Sequence, residues 1–86
     1  MDTEIIQSAI RTNVYHIDKS KNIALHKHKK FDEVFYCIKG RGFGVLEDGE
    51  QELNTGDAFI VRENTMHSLR TESEMVVTSF LIPVVD

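Results

Sequence analysis

Between residues 14 and 82 the chain is a succession of short β-rich runs separated by turn clusters, and no gap between runs has room for a crossover helix. Parallel strands need a crossover of a dozen or more residues, so an antiparallel, all-β fold remains. The runs cover residues 14–17, 23–29, 33–39, 43–47, 50–53, 58–62, 67–71 and 75–82. They predict seven or eight strands of about five to six residues. Gly40-Arg41-Gly42 is expected to turn one run into the next, and Asp48-Gly49 predicts a type I′ hairpin, whose two central residues take positive φ. Pro83 marks the end of the last run. Residues 3–11 fit either a short helix or a strand, with a slight lean to helix because Ile5, Ile6, Ala9 and Ile10 recur at helical spacing. A sandwich or barrel follows, and the lack of any linker or repeat predicts one domain over residues 1–86.

A chain of 86 residues buries only roughly 60–65% of its unfolded surface, and cores this thin commonly need a disulfide, a metal or a partner subunit. Cys37 is the sole cysteine, so an internal disulfide is excluded and metal or oligomer remains. The net charge of −4 argues against general nucleic-acid binding, which depends on Lys and Arg neutralising phosphates. No apolar run approaches the ~20 residues that span a bilayer, so no membrane role is expected. The Met1-Asp2-Thr3-Glu4 start is acidic where a secretory signal would be basic, and a cytoplasmic protein is the expectation. The Lys-rich stretch 18–30 and the acidic stretch 47–57 read as solvated faces.

The chemistry concentrates around three of the four histidines. His26-Lys27-His28 puts two imidazoles at i and i+2, which on one strand share a face and can reach one metal ion. Glu33 opens the next run and can add a carboxylate oxygen, and His67 opens a later one and can close the set. Each piece alone reads more simply as a polar strand face, a solvated strand start or a surface histidine. Their spacing changes that.

In this spacing the chain resembles a cupin. The family's first motif is Gly, five residues, H-x-H, three or four residues, Glu, six residues, Gly; here His26-x-His28, Glu33 and Gly40 match in residue and interval, with Ser20 at the leading Gly position. The second motif is Gly, five residues, Pro-x-Gly, two residues, His, three residues, Asn; Gly56 and His67 match, while Arg62, Asn64 and Thr71 replace Pro, Gly and Asn at unchanged intervals. Asn tolerates positive φ better than other non-glycine residues, so the turn at Asn64 is expected to survive. The motifs span residues 20–40 and 56–71.

The resemblance implies a small antiparallel double-stranded β-helix, the jelly-roll cupin barrel, with His26, His28, Glu33 and His67 converging on a divalent transition metal: Fe, Mn, Ni, Zn or Cu. The inward face carrying Glu33 would also carry Phe35 and Cys37, and Phe59 and Phe80 complete a candidate small-molecule pocket, although each aromatic taken singly reads more simply as core. For Cys37 an inert core thiol is the simpler reading, and His16, which matches no motif position, is expected at the surface or an interface. Two functions stay open: a metal-dependent enzyme of dioxygenase-like or isomerase/lyase-like chemistry, or a non-catalytic module that holds metal and a small ligand. A homodimer is expected, because the outward residues Val34, Tyr36 and Ile38 want cover.

Overall fold

A computed structural model of the protein describes residues 3–21 and 23–85, giving the backbone alone for 23–26. One helix, α1 (Thr3–Ala9), precedes seven strands: β1 (Arg11–Asp18), β2 (Ile23–His26), β3 (Phe31–Leu46), β4 (Gly49–Asn54), β5 (Ala58–Val61), β6 (His67–Arg70) and β7 (Glu74–Pro83). All strand pairs are antiparallel. They form a small jelly roll of two facing sheets. The first runs β1-β7-β3-β5 and the second β4-β3-β6-β2.

Strand β3 belongs to both sheets. The sequence predicts a turn at Gly40-Arg41-Gly42, but β3 runs on unbroken, its first half pairing with β5 and β7 and its second half with β4 and β6. The bend comes instead from a register shift between Cys37 and Lys39, followed by Gly40 at φ 82°. A side chain at Gly40 would collide with the Glu74 carbonyl oxygen. Glycine therefore serves here as a hinge between sheets, allowing positive φ and close backbone approach together. The β3–β4 hairpin is present, but its turn residues are Glu47 and Asp48, and neither Asp48 nor Gly49 takes positive φ. The type I′ expectation fails because Gly49 takes the fourth turn position, where glycine is also favoured.

The core lies between the sheets. Ile17, Phe35, Cys37, Leu53, Phe59, Val61, Leu69, Met75 and Val77 are all buried. Alternation selects them: in β3 Glu33, Phe35 and Cys37 point in, while Tyr36 and Ile38 point out. The sheets approach closely where the Phe59 ring packs on Gly44; an added Cβ there would sit 2.5 Å from ring carbons. The outer face of the first sheet is unusually apolar, with Val14, Tyr36, Ile38 and Ile60 exposed and Val34 and Phe80 beside them. Helix α1 buries none of its residues. Among the described residues no helix is long and apolar enough to cross a membrane.

Candidate metal centre

Three of the four residues expected at the metal come together. Ligand atoms of His28, Glu33 and His67 all lie within 4.8 Å of one another. Glu33 Oε1 is 2.9 Å from His67 Nε2 and 3.2 Å from His28 Nε2, so both imidazoles face the same carboxylate oxygen. The side chain of His26 lies outside the described residues, while its backbone pairs in register with His67.

Each side chain is delivered by a different element. Glu33 sits on the inner face of β3, 4% exposed. His67 is the first residue of β6, paired with Leu46 on one side and His26 on the other, and its ring rests 5.8 Å from the Phe35 ring. His28 follows a different route from the one its sequence suggests. Strand β2 ends at His26, so strand alternation does not carry to His28, which stands in the connection to β3. Two residues with positive φ shape its surroundings, Lys30 at 64° and Asn64 at 61°. The Asn64 N–H donates to the His28 carbonyl at 2.7 Å, which ties the His28 loop to the turn of the second motif. Asp32 fixes that turn from the other side, accepting from Glu63 N–H at 2.8 Å and pairing with Arg62 at 3.3 Å.

The electrostatics centre on the buried Glu33–His67 pair. Burial pushes the Glu33 carboxyl up, yet hydrogen bonds from His67 and Ser79 and the charges of the two imidazoles outweigh it and hold the group below its ordinary value. Burial pushes His67 down, and its bonds to Glu33 and the Thr65 carbonyl overcome this and raise it. The two shifts favour an ionised carboxylate beside a protonated ring.

His67 Nδ1 lies 2.7 Å from the Thr65 carbonyl. A carbonyl only accepts, so Nδ1 carries a proton; the bond to Glu33 then needs Nε2 to donate, and loss of that second proton leaves the Nε2 lone pair for an ion. A backbone carbonyl that fixes the tautomer in this way is the usual support of a metal-ligating histidine. The donor set of imidazole nitrogens and one carboxylate therefore fits a divalent transition ion. Access lies on the His28 side, where the side chain is 32% exposed against 1% for His67.

The remaining candidates separate. Phe35 and Phe59 stack inside, with centroids 6.1 Å apart. Cys37 is also buried, its thiol donating to the Lys39 and Gly40 carbonyls and pushed up by burial; it stands four residues beyond Glu33 along β3 and outside the cluster. Phe80 does not line the interior. It is opposite Val34 on the outer face of β7, half-buried, and Ser79 takes the inward place. His16 is at the surface, 2.8 Å from Glu74. Two open depressions of about 320 and 400 Å³ lie near Phe43 and Thr71 and near Leu46 and Thr65, and neither is lined by the cluster.

Sequence reasoning missed Ser79. It is 1% exposed and its hydroxyl donates to Glu33 Oε2. The available signal was alternation, since Ser79 is the one polar residue in the inward series Met75, Val77, Ser79, Leu81.

The fold and this cluster define a small β-barrel protein of the double-stranded β-helix class with a His/Glu site capable of holding metal. The chain belongs to the cupin family, whose cupin domain it matches over residues 13–83. It is 35% identical over 66 residues to quercetin 2,3-dioxygenase of Bacillus subtilis, covering 76% of this chain and 20% of that protein. It is 26% identical over 78 residues to an uncharacterised protein of Methanocaldococcus jannaschii, covering 79% of this chain and 62% of the relative. The chain thus spans less than two thirds of the length of either relative. Among solved structures it resembles a predicted oxalate decarboxylase of Thermotoga maritima, with TM-score 0.81 and 17% identity over 98% of this chain and 76% of the other. It also resembles KdgF of a Halomonas species, with TM-score 0.75 and 26% identity over 90% and 72%.

Proposed function

We propose that the protein is a metal-dependent cupin that binds a divalent transition ion through His26, His28, Glu33 and His67 and acts on a small molecule. The observation that carries this reading is the convergence of His28, Glu33 and His67 within 4.8 Å, with the His67 tautomer held by Thr65. When bound, such an ion supplies a Lewis-acid or redox centre for dioxygenase-like or isomerase/lyase-like chemistry. The chain's own part is to present nitrogen and oxygen lone pairs to one point, to keep Glu33 ionised in a buried setting, and to exclude water beneath with Phe35. The similarity to a quercetin 2,3-dioxygenase favours the dioxygenase class.

The test is metal content followed by turnover. Protein purified without added metal and then offered Fe(II), Mn(II) or Zn(II) is expected to hold close to one ion per chain by mass spectrometry. O₂ consumption against diketones, thiols and flavonols then assays the chemistry. No uptake of any of these ions overturns the metal reading. One ion bound without turnover favours the second reading, a binding or sensing module, which is supported by the way Glu33 already has partners in His28, His67 and Ser79.

The apolar outer face of the first sheet supports a homodimer formed through that face. The buried thiol of Cys37 suits a reducing, cytoplasmic setting.

A further inference from the structure

We infer that Ser79 is a positioning residue that dictates which oxygen of Glu33 meets the metal; the inference rests on the proposed metal reading. Glu33 has two carboxylate oxygens, and the structure gives them separate tasks. Oε1 faces His67 Nε2 and His28 Nε2 at 2.9 and 3.2 Å, while Oε2 accepts the Ser79 hydroxyl. Both residues are buried, Ser79 at 1% and Glu33 at 4%, and they come from neighbouring strands, with Ser79 paired opposite Phe35 two positions along from Glu33.

A carboxylate oxygen occupied by a buried hydroxyl is engaged away from the cation. Glu33 therefore offers a single oxygen, Oε1, and its rotamer is fixed before any ion arrives. A hydroxyl is well suited to the place. It donates one bond without adding charge, whereas a Val, the natural companion of Met75 and Val77, would leave a buried carboxylate oxygen without that donor. Ser79 thus acts on the metal through Glu33, as outer partners of metal ligands do, and removing such partners costs about 10–100-fold in affinity.

Co(II) is the probe, because its visible absorption reports the number and kind of its ligands as well as its affinity. Ser79→Ala is expected to bind Co(II) about 10–100-fold more weakly than wild type and with an altered visible spectrum, since Glu33 is freed to turn or to offer both oxygens. Ser79→Thr and Ser79→Val form a volume-matched pair that isolates the hydroxyl: Thr is expected to restore wild-type affinity and spectrum, and Val to behave like Ala. This pair also decides the matter should Ser79→Ala lose its β circular-dichroism signal. Equal Co(II) affinity and identical spectra for Thr and Val, with wild type binding normally, overturn the role of Ser79 and leave the metal reading standing. A wild-type protein that takes up no Co(II) overturns both.

Discussion

Nε2 of His67 lies 2.9 Å from Oε1 of Glu33, joining residues 34 apart in the chain at a point where both are buried. The second ring nitrogen of His67 is committed to the Thr65 carbonyl, so the ring cannot turn away without losing a bond at each end. His28 faces the same oxygen from a loop and is a third exposed. The two histidines should therefore respond differently to removal. His28→Ala is expected to weaken metal binding at least tenfold while costing the metal-free protein about 1 kcal/mol or less. His67→Ala is expected to abolish metal retention and also to cost about 3–5 kcal/mol, since it removes the buried partner of a buried carboxylate. Isothermal titration and thermal melts of the metal-free variants measure the two effects separately.

The same pair sets a pH dependence. Glu33 is depressed from its ordinary 4.5, so its contribution to stability is present above that value and is lost as pH falls through the lower folded value. His67 is raised from 6.5, so its contribution is complete below 6.5 and is lost as pH rises through the higher folded value. In the metal-free protein the pair is at full strength between about pH 4.5 and 6.5. A bound cation reverses the upper limb, because it needs the deprotonated ring. The rise in Tm on adding Zn(II) is expected to grow from pH 6 to pH 8, and a metal-induced rise that shrinks over that range would contradict this arrangement.

Gly44 is where the sheets press together. A methyl placed there meets the Phe59 ring at 2.5 Å, and the ring is itself buried between Gly44 and Phe35. Gly44→Ala is expected to lose about 1–3 kcal/mol by overpacking. Combining it with Phe59→Leu should cost less than the sum of the single changes in denaturant unfolding.

Asn64 holds the His28 carbonyl from a left-handed conformation. Asn64→Gly keeps that backbone at little cost and is expected to change stability by no more than about 0.5 kcal/mol. Asn64→Val forces a β-branched residue to positive φ, at roughly 1–2 kcal/mol, and should loosen the His28 loop. A fall in metal affinity for Val but not for Gly is the expected result by titration.

Ile60 is 58% exposed on the edge strand β5 of the apolar outer face. If that face joins two copies, Ile60→Lys introduces a charge into the interface. Light scattering is expected to give twice the chain mass for wild type at micromolar concentration and a single chain mass for the variant. A monomeric wild type would remove the dimer.

Much of the architecture could be read from the chain because alternation is a strong signal when a strand has one buried face. Glu33, Phe35 and Cys37 inward against Tyr36 and Ile38 outward follows from period two alone. The glycine at residue 40 misled because a turn and a bend between sheets make the same local demand for positive φ. Only the pairing of β3 with β6 and β7 tells them apart, and pairing is not local. Asp48-Gly49 misled in a similar way, since glycine favours more than one turn position. Strand alternation, which puts His26 and His28 on one face, does not reach His28, because β2 ends at His26; the motif spacing still holds, and the loop that carries His28 depends on Lys30 at a positive φ that no sequence rule for lysine suggests. Phe80 and Ser79 exchanged roles because an aromatic residue attracts a core assignment and a serine does not, although the register puts the serine inside.

Strand β7, the last strand among the described residues, lies between β1 and β3. During synthesis the growing chain holds β1 and β3 with nothing to join them, and two exposed strand edges invite the wrong neighbours. The same strand carries Ser79, so Glu33 waits without its hydroxyl partner until β7 has emerged and docked. A nascent chain that stops short of β7 would therefore possess His28, Glu33 and His67 and still lack the hydroxyl that engages Glu33 Oε2.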